Sequence, residues 1–373
     1  MQDRGKITAT QMACALFLCV IATAVLAAPI LTYKWAGNAM WISSIAASLV
    51  ALAIAYIMVE LHRLFPGKSI VEYSVDLLGR TVGKLFGLYY LLACLQMSGS
   101  ALRQFGEFMS ISFLSQTPSI VLILSISIVG ACMARSGIET IGRCAVLFTP
   151  VIVGIYLLHL LPVFPLLKPD RLLPLLENGW TAMLQGALQL QNWYPLYMML
   201  TFLLPFVADK EKPGKWSYVS VLWTASAVTG MMLITIMMFG KATGQFNFPM
   251  LVISRYVVAL EFFEHIESLM MFFWVLDVFV RTIVNQYIIS VGFAQWFGAP
   301  SFKPLVLPVS ALIVLFTYWS TPNYAELADI STTHQPIYYM VNFILFPALL
   351  LLIAKFRRAA NGKQTQEAPA NGS

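Results

Sequence analysis

The sequence predicts an all-α polytopic membrane protein, and three observations predict it. Of 373 residues, 59% are hydrophobic and only 11% charged, with a mean hydropathy of +0.77, whereas a soluble domain carries about 25% charged residues. Such a chain cannot cover a water-facing surface. The apolar residues gather into runs near the length of a bilayer-crossing helix, about 20 residues, and the basic residues alternate from one side of these runs to the other. The five cysteines, odd in number and without CxxC spacing, exclude a disulfide scaffold and read as small membrane-buried residues.

Ten runs qualify as spans, at 8–30, 39–61, 83–112, 118–134, 143–163, 182–206, 217–240, 265–296, 303–321 and 336–355. The first follows Arg4 and Lys6 and ends in Ala27, Ala28 and Pro29, but its apolar stretch exceeds the h-region of a cleavable signal peptide, so it is read as a retained helix. Residues 1–358 form one transmembrane domain, with two halves at approximately 8–163 and 182–355. The polar segment 359–373 is expected to be a disordered cytoplasmic tail. No loop is long enough for a soluble domain.

With the N-terminus inside, the inner segments hold 16 of the 23 Lys and Arg residues and the outer segments hold five, Lys34, Lys168, Arg171, Lys241 and Arg255. This bias places both termini in the cytoplasm. The net charge of +6 is then topology, not a nucleic-acid footprint, because it is divided among short loops.

Two spans carry interruptions. In the first, Ala22, Thr23, Ala24 and Val25 precede Pro29; in the sixth, Gln185, Gln189, Gln191 and Asn192 precede Trp193, Tyr194 and Pro195. Counted inward, Asn192 to Pro195 sit about 15–20 Å deep. Interrupted helices at positions one and six of ten are what an inverted-repeat transporter requires for a midplane ligand site. A packing kink with amides paired between helices is the competing reading.

Charges inside spans cost about 2.5–3.5 kcal/mol each on insertion scales. Asp277 and Arg281 in the eighth run are four apart, share a stripe with Trp274 and Asn285, and lie near the midplane. They are read either as an ion- or proton-coupling site or as a self-neutralising pair. Arg103 and Glu107, on a stripe with Gln96 and Ser100, fall about 30 Å along the third run. There, solvation at the outer rim competes with an outer-vestibule role. His159 reads as interfacial, and Glu261, Glu264 and Glu267 as the polar entry of an amphipathic turn. No metal cluster, phosphate loop or nucleophile with a base accompanies these groups, so neither an enzyme nor a cofactor is expected.

Trp41-Ile42-Ser43, then Leu61-His62-Arg63-Leu64-Phe65-Pro66-Gly67-Lys68-Ser69-Ile70-Val71-Glu72-Tyr73, then Leu78-Gly79-Arg80 with Gly83-Lys84, resemble the bacterial spore germination permeases, the membrane B subunits of nutrient germinant receptors. Pro205 to Lys212 resembles the loop after their sixth span, and Glu264 to Leu269 with Trp274 and Phe279 the start of their eighth. The resemblance implies the amino acid–polyamine–organocation superfamily and a five-plus-five inverted repeat of the leucine-transporter type. It also implies A and C subunits as partners in the inner membrane of the spore, and a small germinant, often an amino acid, as ligand. Two departures stand out. Ala22 and Ala24 replace the family's usual glycines, and Leu196, Tyr197 and Met198 stand where a glycine and an acidic residue are common. The expected ligand site is therefore Ala22, Thr23, Ala24, Val25, Gln189, Asn192, Trp193 and Tyr194. An autonomous proton- or cation-coupled amino-acid transporter and a ligand-blind scaffold subunit are the alternatives.

Overall fold

The computed structural model describes residues 3, 5–209, 212–259, 266–321 and 324–367. Its helices are α1 (Ala9–Ala36), α2 (Met40–Leu64), α3 (Ile70–Leu78), α4 (Arg80–Ser112), α5 (Ser119–Ala134), α6 (Ile138–Leu160), α7 (Gly179–Gln189), α8 (Leu200–Leu203), α9 (Pro213–Phe239), α10 (Pro249–Ala259), α11 (Ile266–Phe297), α12 (Val306–Trp319), α13 (Tyr324–Thr333), α14 (Gln335–Met340) and α15 (Phe346–Glu367). Each of the ten predicted segments overlaps at least one of these helices. Among the described residues six stretches qualify by length and apolarity to cross a membrane, with Ala9–Leu64 counted as one; Ser119–Ala134, Tyr194–Phe206 and Lys303–Trp319 are shorter apolar helices. Helices α3, α10 and α13, which lie between spans, were not anticipated. Glu261, Glu264 and His265 lie outside the described residues.

Local sequence sets several boundaries. Thr8 opens α1 with a capping box: its hydroxyl accepts from Gln11 N at 3.1 Å while Gln11 Oε1 accepts from Thr8 N at 2.8 Å. Ser69 and Glu72 open α3 in the same way. Gly37, at φ +55°, ends α1 in a backbone conformation that favours glycine.

The bundle is built around α1, which is buried along nearly its whole length against α2, α6, α7, α9 and α11. Outer helices present Leu49, Ile128, Leu157, Leu315 and Phe356 outward, as a lipid-facing surface requires. At the end that carries the N-terminus, Ile7 pairs with Val207 in an isolated parallel bridge. Asp3 accepts from Tyr287 Oη and Ile138 N, each at 3.0 Å. The α3 helix docks there too, with Ile70 N donating to Thr201 Oγ1 at 3.0 Å and Ser69 Oγ to Gln295 Oε1 at 2.5 Å.

The two interruptions do not behave alike. Residues 22–25 lie within an unbroken α1 that also accommodates Pro29, so the expected break in the first span is corrected. Alanine at 22 and 24 favours the helix where glycine would favour leaving it. The sixth span is broken: after α7 come short 3₁₀ turns at Leu190–Asn192 and Tyr194–Met199, then α8 and a further 3₁₀ turn at Leu204–Phe206. Pro195 and Pro205, each near the start of a 3₁₀ segment, remove amide donors from this stretch.

Candidate functional site

Thr23 is the meeting point of three segments. Its hydroxyl accepts from Arg281 Nη1 of α11 at 2.6 Å and from Trp193 Nε1 of the broken span at 2.8 Å. One residue away, Trp274 Nε1 donates to the Ala22 carbonyl. Trp274 is held by Phe108, with ring centroids 4.3 Å apart at 69°, and by Phe105 at 5.4 Å. Three rigid side chains thus lock α1, α11 and the sixth span together without any helix break in α1.

Beside Thr23 lies a cavity of about 30 Å³, bordered also by Asn192, Trp193, Arg281, Ser331 and Gln335. That is space for about two waters, so the site is closed around itself. The closing element is α13. Asn192 Nδ2 donates to Ser331 O at 2.9 Å as well as to Gln189 O at 2.9 Å, and Gln189 Nε2 donates to Thr332 O at 3.0 Å. The break after α7 is what frees these two amides to reach the last carbonyls of α13, groups a helix end leaves unpaired. The acceptor oxygens of both amides, Gln189 Oε1 and Asn192 Oδ1, are buried without a partner.

Of the predicted ligand residues, Thr23, Asn192 and Trp193 border the cavity. Ala22 contributes its carbonyl to Trp274, while Ala24, Val25 and Tyr194 pack around the site and Gln189 ties down α13. Sequence reasoning missed Ser331, Gln335 and Tyr339. Their i, i+4 spacing carries a chain of bonds, Ser331 Oγ to Gln335 Oε1 at 3.1 Å and Gln335 Nε2 to Tyr339 Oη at 2.8 Å. That spacing was the available signal, obscured because 331 and 335 fall outside the tenth apolar run.

Asp277 and Arg281 are both buried and attract each other across the helix turn, but no direct ion-pair contact joins them. Arg281 turns to Thr23 and borders the cavity; both oxygens of Asp277 are buried without a hydrogen-bond partner. Arg103 is 5% exposed, contacts Glu107 at 3.0 Å and lies 4.8 Å from the Tyr318 ring, so solvation at a rim is corrected to packing among α4 and α12. His159, expected at the interface, is also buried, with Nδ1 2.9 Å from Ile155 O.

A many-helix bundle with a polar cavity between α1, the broken stretch after α7 and α11 defines a permease-like membrane protein of the leucine-transporter fold. Two solved transporters share the fold. A sodium-coupled sialic acid symporter, in a substrate-bound outward-open state, superposes with a TM-score of 0.63 at 12% identity, covering 91% of this chain and 79% of its own. Mhp1, a nucleobase-cation-symport-1 family transporter in a closed conformation with bromovinylhydantoin bound, gives 0.61 at 12% identity, covering 94% and 80%. The chain belongs to the family described as spore germination protein, whose model matches residues 6–325. Among its relatives in Bacillus subtilis (strain 168), the putative spore germination protein YfkT is 27% identical over 354 residues, 90% of this chain and 92% of that one. Spore germination protein KB is 23% identical over 338 residues, 89% and 91%, and spore germination protein YndE 24% over 363 residues, 95% and 98%.

Proposed function

We propose that this chain is the ligand-recognising membrane subunit of a spore germinant receptor, and that a small nutrient germinant binds in the cavity between α1, the broken sixth span and α13. The observation that carries the reading is the pair of amides, Gln189 and Asn192, which hold α13 over the cavity while their own acceptor oxygens stay buried and unpartnered. A ligand that supplies a donor to Asn192 Oδ1, the one of the two that borders the cavity, is larger than the present space, so it binds as α13 shifts and thereby biases the α13 contact. A sensor needs only such a difference in affinity between two states. In this reading the chain crosses the inner membrane of the spore ten times with both termini in the cytoplasm, and works beside A and C subunits without catalysing a reaction. The family membership and the distribution of Lys and Arg support that arrangement. The test is the germinant dose response of spores carrying Asn192→Leu: at normal protein level, the curve moves to higher concentration. An unmoved curve removes the site from recognition and leaves a scaffold.

One observation favours a second reading, a proton- or cation-coupled transporter. The unpartnered carboxylate of Asp277, at bilayer depth, is the kind of group that carries a coupled ion. It predicts gradient-driven uptake by vesicles that contain this chain alone, weakened by Asp277→Asn. Uptake equal to that of empty vesicles rejects it.

A further inference from the structure

We propose that the cavity, widened by a shift of α13, takes a small organic acid anchored by its carboxylate on Arg281, and that the ligand's second polar group is read by the amide oxygen of Asn192, so that a hydroxyl serves there as well as an ammonium. This rests on the recognition site proposed above and specifies its ligand. Among the described residues that border the cavity, Arg281 is the single charged side chain; no Asp or Glu lines it. The arginine is 4% exposed, and its hydrogen bond to Thr23 uses Nη1 only. Nε is buried without a partner, so the guanidinium keeps donor capacity beyond its bond to Thr23, on a planar group of the kind that receives a carboxylate in two parallel bonds.

The rest of the described lining offers an anion no second positive charge. Because α1 is continuous from Ala9 to Ala36, its amides at residues 22–25 stay inside the helix, with no helix end pointing at the ligand. The indole N–H of Trp193 is already used on Thr23. Charge on the ligand must therefore be met by Arg281. At the other side of the cavity Asn192 presents Oδ1, a neutral acceptor whose own amide N–H is held by Gln189 O and Ser331 O. A neutral acceptor satisfies O–H and N–H donors alike and gives an ammonium no ion pair. Asp277, one helical turn from Arg281, does not border the cavity.

The experiment measures binding of L-alanine, L-lactate, L-alaninamide and D-glucose to the purified full-length protein in lipid nanodiscs. L-Alanine and L-lactate are expected to bind within about threefold of each other, and L-alaninamide, which lacks the carboxylate, more weakly by at least about tenfold, one strong hydrogen-bonding contact. Arg281→Gln should abolish binding of both acids, and Arg281→Lys, which keeps the charge but not the fork, should retain part of it. Size-exclusion profiles matching the wild type show that each variant is folded. Alaninamide binding as well as alanine, or acids binding unchanged to Arg281→Gln, overturns the anchor; lactate binding at least about tenfold more weakly than alanine overturns the neutral second contact. Glucose binding that Asn192→Leu abolishes, with no acid bound, keeps the recognition site and rejects its ligand class. No probe binding the wild-type protein counts against both.

Discussion

Replacing Thr23 with valine keeps the volume and branching of the side chain and removes the one hydroxyl on which Arg281 and Trp193 converge. The structure sets the magnitude. The indole bond at 2.8 Å is an ordinary hydrogen bond within a membrane bundle, about 0.6–1.7 kcal/mol. The guanidinium bond at 2.6 Å is charge-assisted and leaves a second buried donor without an acceptor, about 1.5–3 kcal/mol. Together the loss is about 2–5 kcal/mol, and at roughly 2 °C per kcal/mol for a chain of this size the melting temperature falls by about 4–9 °C. The assay is thermal unfolding of purified protein in detergent, comparing wild type, Thr23→Val and Thr23→Ser. Serine retains the hydroxyl and should recover most of the loss. A valine variant that melts within about 1 °C of the wild type, below the smallest value this reasoning permits, refutes the claim that Thr23 ties the three segments together.

Three further outcomes follow from the packing and the buried charges. At Gly83 an added Cβ would meet Ser74 O and the Val75 Cα at 2.5 Å, both backbone atoms, so Gly83→Ala should destabilise by about 1–3 kcal/mol; Gly154→Ala, where nothing lies within 4 Å, should be neutral or slightly stabilising in the same melt. Asp277→Asn should move the melting temperature by less than about 2 °C, since it removes no hydrogen bond and only the longer-range attraction of Arg281; a fall of several degrees would reveal a group that holds the carboxylate directly. Burial raises the Glu72 carboxyl above its ordinary 4.5, against the opposing pull of Ser69 N–H and Lys68. The sign is that of a raised folded-state value: the contribution of Glu72 is full below the ordinary value and is lost as pH rises through the raised one. Glu72→Gln, whose amide oxygen can take the same bonds from Ser69 N and Gln295 Nε2, should therefore gain on the wild type as pH rises from below the ordinary carboxyl value through the raised one. A melting difference that is flat across that range contradicts it.

Composition and hydropathy were enough to read the fold, because in a bilayer each span must satisfy its backbone internally and so announces itself as a long apolar run. The break in the sixth span was legible for a related reason: Asn192 and Pro195 at midplane depth conflict with a plain helix. The first span was not. Thr23 among small residues looked like a break, yet alanine at 22 and 24 lets the helix run through, and Thr23 does its work as a side-chain acceptor. Its partners Trp193 and Arg281 are 170 and 258 residues away, beyond any local pattern. Equally hidden was α13, a short helix between spans whose closing bonds use its backbone carbonyls, groups every residue has and no sequence pattern marks. The spacing of Asp277 and Arg281 suggested a pair, but the guanidinium is drawn toward α1 by Thr23. Helix geometry puts two charges on one face without deciding which partner each one finds.

The most direct test of recognition at this cavity is the germinant dose response of spores in which the chain carries Asn192→Leu, with protein level verified. Leucine removes both the contact to α13 and the acceptor offered to the ligand. The response should shift to at least about tenfold higher germinant concentration, the equivalent of one lost hydrogen bond of about 1.4 kcal/mol. A dose curve that overlays the wild type would place recognition elsewhere and contradict the account.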